Sequence, residues 1–99
     1  MKNPKLLEKF QLGNLELSNR MVMAPLTRQR ASKGNVPNKM MVEYYSQRAS
    51  AGLIISEGSQ ISRQGYGYYD APGIHTKEQI KGWEKITQAV HKKNGKIFL

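Results

Sequence analysis

Apolar positions along the chain follow changing patterns, and each pattern predicts a different element. Phe10-Gln11-Leu12-Gly13-Asn14-Leu15-Glu16-Leu17 alternates around a Gly-Asn pair. That predicts a short hairpin with a two-residue turn. So small a hairpin is not stable alone, so it is expected to plug or cover something larger. Ser18-Asn19 punctuates the chain, and an apolar run of strand length follows over 20–24, stopping at Pro25. Proline has no N–H and tends to end a buried strand. Leu53-Ile54-Ile55-Ser56 is continuously apolar and β-branched at its centre. Such runs suit a strand buried on both faces of a parallel sheet. Lys96-Ile97-Phe98-Leu99 opens a third strand.

Between the strands the spacing becomes helical. Over 39–50, Met41, Tyr44, Tyr45 and Arg48 fall on one helical face, with Asn38 as N-cap and Ala51-Gly52 as the stop. The aromatic stripe reads as packing, with the Arg48 stem laid along it. Thr76 and Gln79 form a capping box for a second helix. Its buried stripe is Ile80, Trp83, Ile86, Thr87 and Val90, and Asn94-Gly95 stops it. The order is hairpin, β, α, β, α, β. That order predicts an α/β fold with parallel strands and right-handed crossovers. Loops after the strands are long and polar, whereas turns after the helices are short. The working face is therefore at the strands' carboxyl ends, as in a (β/α) barrel.

Composition narrows this picture only in places. A length of 99 residues suits one small domain at most. There is no cysteine, hence no disulfide framework and no thiolate metal site. No apolar run approaches the ~20 residues of a membrane span. Met1-Lys2-Asn3-Pro4-Lys5 leads into Leu6-Leu7-Glu8 rather than a long apolar segment, so no signal peptide is expected. A cytoplasmic location is the default. The net charge of +9 raises nucleic acid, anionic membranes and phosphorylated ligands as partners. However, Lys77, Lys81 and Lys85 recur as one helix face, and Lys92, Lys93 and Lys96 cluster near that helix's end. A solvated face and dipole compensation account for most of them.

His75 and His91 lie far apart, with no acidic or thiol partner at metal spacing. No serine, histidine and acid arrangement suggests a nucleophilic triad. Gly65-Tyr66-Gly67-Tyr68-Tyr69-Asp70 lacks the third glycine of a dinucleotide fingerprint, and Pro72-Gly73 follows instead of a helix. What remains is a pair of strand ends, Thr27 and Gly58. Adjacent parallel strands would bring them side by side, where a flat heteroaromatic ligand could rest on backbone N–H groups and the Thr27 hydroxyl. On spacing alone, two ordinary strand ends remain the favoured reading.

Met23-Ala24-Pro25-Leu26-Thr27-Arg28, then Glu43-Tyr44-Tyr45 and the run from Gln47 through Gly52 to Glu57, resemble the old yellow enzyme family of NAD(P)H:flavin oxidoreductases. Ala71-Pro72-Gly73-Ile74, Gln79, Gly82-Trp83 and Val90-His91 continue the resemblance in order. It implies an FMN-dependent (β/α)8 TIM barrel. Residues 1–99 would form the amino-terminal part of a single FMN-binding domain, ending in its third strand, with the hairpin closing the barrel's bottom. By the same resemblance Pro25, Leu26 and Thr27 contact the flavin, with Thr27 donating a hydrogen bond near its N5/O4 edge. Gly58 also contacts it, at a position where relatives often carry alanine. Tyr68 matches a tyrosine lining the substrate pocket.

The implied reaction is reduction of FMN by NAD(P)H, then hydride transfer from flavin N5 to an activated alkene such as an enone. The family's substrate-holding histidine pair, proton donor and phosphate clamp fall beyond Leu99. No catalytic residue is therefore expected in this chain, and the chain alone is expected neither to hold FMN tightly nor to turn over. A small-molecule alkene is the expected partner, rather than nucleic acid or membrane. Two alternatives stand beside this reading. One is a basic fragment that binds nucleic acid or anionic surfaces, with a steep salt dependence. The other is a half-barrel segment that folds only with a complementary chain.

Overall fold

The structure, a computed structural model, describes residues 4–99. The leader expectation at Met1, Lys2 and Asn3 lies outside the described residues. Strands β1 (Phe10–Leu12) and β2 (Leu15–Leu17) form the expected hairpin, pairing Phe10 with Leu17 and Leu12 with Leu15. Of the two turn residues only Gly13 has a positive φ, +60°. That is the type II′ pattern, with glycine at the first central position.

Strands β3 (Val22–Met23), β4 (Leu53–Ile55) and β5 (Ile97–Phe98) form a separate parallel sheet in the order β3-β4-β5. Met23 stands opposite Ile54, and Ile54 opposite Ile97. Helix α1 (Lys39–Ser46) connects β3 to β4, and α2 (Lys77–Lys92) connects β4 to β5. Met41, Tyr45, Trp83, Ile86 and Val90 from the helices bury themselves around Ile54 of the central strand. The hairpin lies beside β3, where Phe10, Leu12, Leu17 and Val22 share a cleft of about 260 Å³.

Three expectations need correction. The first strand's ladder covers Val22–Met23 rather than 20–24. Beyond it the chain leaves β4 towards Pro25, which has no N–H to offer. Helix α1 ends at Ser46, not at residue 50. Arg48 N–H donates to the Tyr45 carbonyl (3.1 Å), and Ala49 N–H to that of Ser46 (3.3 Å). These tighter turns bury Ala49 and deliver the chain to β4 in a short connection. Finally, Ile80 is 41% exposed. At about 100° per residue it sits a quarter-turn from the inward line through Gln79, Trp83, Ile86 and Val90.

At the strands' amino ends Asn19 does more than punctuate. Its Oδ1 accepts from Met21 N–H (2.9 Å) and Gly52 N–H (2.8 Å), and its amide donates to the Ser50 carbonyl (2.9 Å). A Cβ at residue 52 would overlap the Asn19 carbonyl oxygen, so this close approach requires glycine. At the carboxyl ends the two long loops are laced together. Ala31 N–H donates to Asp70 (3.0 Å), Gly73 N–H to Asn35 (2.9 Å), and the Asn35 amide to Ala71 (2.8 Å). Buried Gln79 accepts from the His75 and Thr76 N–H groups (2.9 and 3.1 Å) and donates to Gly34 (3.0 Å). The capping box therefore also ties α2 to the loop after β3.

Candidate functional site

Pro25, Leu26 and Thr27 follow β3 and are exposed, as is Gly58 after β4. The structure brings these ends together through the residues next to them. The Arg28 guanidinium, Nη2, donates to Glu57 Oε2 at 2.6 Å. Thr27 thus precedes, and Gly58 follows, one residue of a bonded pair. The Glu57 side chain is 0% exposed and that of Arg28 16%.

Tyr45 completes the arrangement from α1. Its hydroxyl donates to the same Glu57 Oε2 (2.7 Å) and accepts from the Glu57 backbone N–H (3.0 Å). Tyr44 packs edge-on to Tyr45, 5.2 Å between ring centres. The Arg28 guanidinium lies over the Tyr44 ring at 3.4 Å, and that of Arg48 at 3.9 Å. Stacking on aromatic faces suits a planar, weakly hydrated cation. The expected Arg48–aromatic contact is therefore present, and a second, more buried arginine joins it.

Burial, first, and then the hydrogen bond to Glu57 push the Tyr45 phenol above its ordinary range. A group that holds its proton more tightly when folded contributes stability that is complete below its unfolded value, about pH 10. That contribution is lost as pH rises further, because the unfolded chain ionises first. The stability advantage of the unsubstituted chain over Tyr45→Phe should therefore shrink above about pH 10. Urea midpoints of both, measured from neutral pH upward, check this. An unchanged gap would mean that Tyr45 is no better protected from ionisation than a free phenol.

Tyr68 is not drawn against the strand ends; it is 66% exposed. Its carbonyl accepts from Ala71 N–H (3.2 Å), and neighbouring Asp70 is the residue bonded to Ala31. The tyrosine loop is thus tied to the segment that follows Thr27, while the ring stands in solvent. A cleft of about 480 Å³ lies between the loops and the start of α2 and is lined by Asn35, Gln60, Arg63, Tyr66, His75 and Gln79 among others. None of Pro25, Leu26, Thr27, Gly58 or Tyr68 lines it. Among the described residues no cluster of three or more His, Cys, Asp or Glu could hold a metal. Nor is any helix there long and apolar enough to cross a membrane.

The sequence profile of the NADH:flavin oxidoreductase / NADH oxidase family matches residues 5–99. The chain belongs to this family. It is similar to 12-oxophytodienoate reductase 1 of Oryza sativa subsp. japonica, 50% identical over 95% of this chain and 25% of that protein. It is also similar to a protein of Leishmania infantum described as a probable flavin mononucleotide-dependent alkene reductase, 48% identical over 94% of this chain and 26% of that one. Among solved structures, the old yellow enzyme from Trypanosoma cruzi superposes with a TM-score of 0.93 and 48% identity, over all of this chain and 27% of that one. The chain spans about a quarter of the length of the relatives it matches. Its three parallel strands and two helices accordingly have the fold of part of an old yellow enzyme TIM barrel.

The strand ends leave room for a flat ring. Pro25, Leu26 and Thr27 are exposed. A Cβ added at Gly58 would meet nothing within 4 Å, so alanine is accommodated there as readily as glycine. Sequence reasoning named Glu57 only as the end of the run that resembles the family, and read Tyr45 as packing. One signal was available, a carboxylate directly after the all-apolar run Leu53-Ile54-Ile55. A charge so placed is buried with its strand and needs a partner.

Proposed function

We propose that this chain supplies the first strands and helices of a single-domain, FMN-dependent NAD(P)H oxidoreductase that reduces activated alkenes. Bound FMN would supply the hydride chemistry, accepting from NAD(P)H and delivering to the alkene. The chain's own part is to hold and orient the ring. The Thr27 hydroxyl donates to the ring's polar edge, the Pro25–Leu26 backbone and Gly58 flank it, and Tyr68 lines the substrate side. The observation that carries the reading is the Arg28–Glu57 bond, which joins the two exposed strand ends in a chain of a flavin oxidoreductase family. The same reading takes the substrate to be a small enone or enal and the location to be cytoplasmic. Among the described residues both outer strands, β3 and β5, have one side unpaired in this sheet. That supports completion by further strands, and FMN should stay free when offered to the 99-residue chain alone.

The test is a completed barrel in which this chain replaces the matching quarter of the Trypanosoma cruzi enzyme. The graft should purify yellow and oxidise NAD(P)H when a cyclic enone is added. Thr27→Ala should weaken FMN binding roughly fivefold, the value of about one hydrogen bond. A colourless, folded graft would overturn the reading.

A further inference from the structure

We propose that the Arg28–Glu57 pair, anchored on α1 by Tyr45, is a positioning device for the flavin-contacting strand ends. The inference rests on the FMN reading above and extends it to residues that reading does not use. The parallel ladder between β3 and β4 ends at Met23 and Ile54. The flavin-facing segment, Pro25 to Thr27, lies past that last ladder pair. The next tie across the two strands is the 2.6 Å bond between Arg28 and Glu57.

The tie is anchored on both partners. Glu57 is held twice by Tyr45, at its carboxylate (2.7 Å) and at its backbone N–H (3.0 Å), so α1 fixes the main chain immediately before Gly58. Arg28 is held flat on the Tyr44 ring, 3.4 Å away, immediately after Thr27. A buried ion pair is not needed to stabilise a core, since well-packed apolar residues serve as well. A short charge-assisted bond does something apolar contact does not: it fixes the separation of two backbone segments. Two further buried atoms, Arg28 Nε and Glu57 Oε1, have no partner among the described residues. The cluster is therefore not arranged for maximal internal satisfaction. What it does fix is the spacing of Thr27 and Gly58, and binding groups held even slightly out of place lose much of their effect.

The experiment compares FMN dissociation constants in the completed barrel, by flavin fluorescence well below the melting temperatures. The variants are Glu57→Gln, which keeps the shape and removes the charge, and Ile86→Val, a core change away from the strand ends. Apo-protein melting temperatures are measured alongside. We expect both variants to melt lower, but only Glu57→Gln to weaken FMN, on the order of tenfold, and to shift the bound flavin's absorption band. Should Glu57→Gln fail to accumulate, Tyr45→Phe carries the same comparison. It keeps the charge pair but frees it from α1, and several-fold weaker binding is expected. If the variants near the strand ends bind FMN as Ile86→Val does, the pair is a structural contact and the inference is overturned, while the FMN reading stands. If the unsubstituted graft binds no FMN, the FMN reading itself fails and takes this inference with it.

Discussion

Arg28→Met should lower the unfolding free energy of the completed barrel by about 3–5 kcal/mol, because it leaves the fully buried Glu57 carboxylate without its counter-charge. Methionine fills much of the arginine stem's space, so lost packing is a minor part of the cost. The size of the effect comes from geometry. An exposed pair of the same charges would contribute about 0–1 kcal/mol, screened by water and salt. Adding Glu57→Leu to Arg28→Met should recover most of the loss, since the buried charge goes with its partner. What remains is the acceptor lost by the Tyr45 hydroxyl, about 1 kcal/mol. Urea midpoints of the two single variants and the double variant close the cycle. Nearly additive losses would show that the two side chains act independently, against the 2.6 Å bond between them.

Trp83→Ala should cost a similar amount, about 3–5 kcal/mol, for a different reason. The indole is buried between the helices, 6.2 Å from the Tyr45 ring centre, and its N–H donates to the Gly73 carbonyl at 3.0 Å. Truncation opens a cavity in the middle of the core and leaves a buried carbonyl short of a donor. Trp83→Phe separates the two effects. It keeps most of the volume and loses the hydrogen bond, so it should cost about 1–3 kcal/mol. If phenylalanine were as damaging as alanine, the tie to Gly73, rather than the filled volume, would be what holds the second loop in place. Denaturation midpoints and hydrogen exchange at the backbone around Gly73 distinguish these outcomes.

Local chemistry was the readable part of this sequence. Gly13-Asn14 sets the hairpin, Asn38 caps α1, and Thr76 with Gln79 caps α2; each acts within four residues of chain. The apolar run Leu53-Ile54-Ile55 declares a central strand because burial on both faces demands it. Less readable were the features that depend on a partner far along the chain. Residues 28 and 57 are 29 positions apart, and nothing in either local pattern announces the other. Helix α1 stops early because Ala49 must turn into the core to reach Gly52 and Asn19, a tertiary demand that overrides helical spacing. Thr27 and Gly58 were placable because a proline and a glycine mark where strands end. The setting of Tyr68 was not, because a loop rich in glycine and tyrosine carries no periodicity.

The unpaired sides of β3 and β5 bear on how such a barrel is made. In the barrel proposed above, this quarter leaves the ribosome before the strands that close it, and synthesis proceeds at about 5–20 residues per second. Its two open edges then wait many seconds for the strands that close them. Neighbouring nascent chains on one message present the same edges at the same moment. A net charge of +9 on every copy sets those copies repelling one another through that interval. The lysines spread along α2 and its end would add to that repulsion during synthesis, besides forming a solvated surface afterwards.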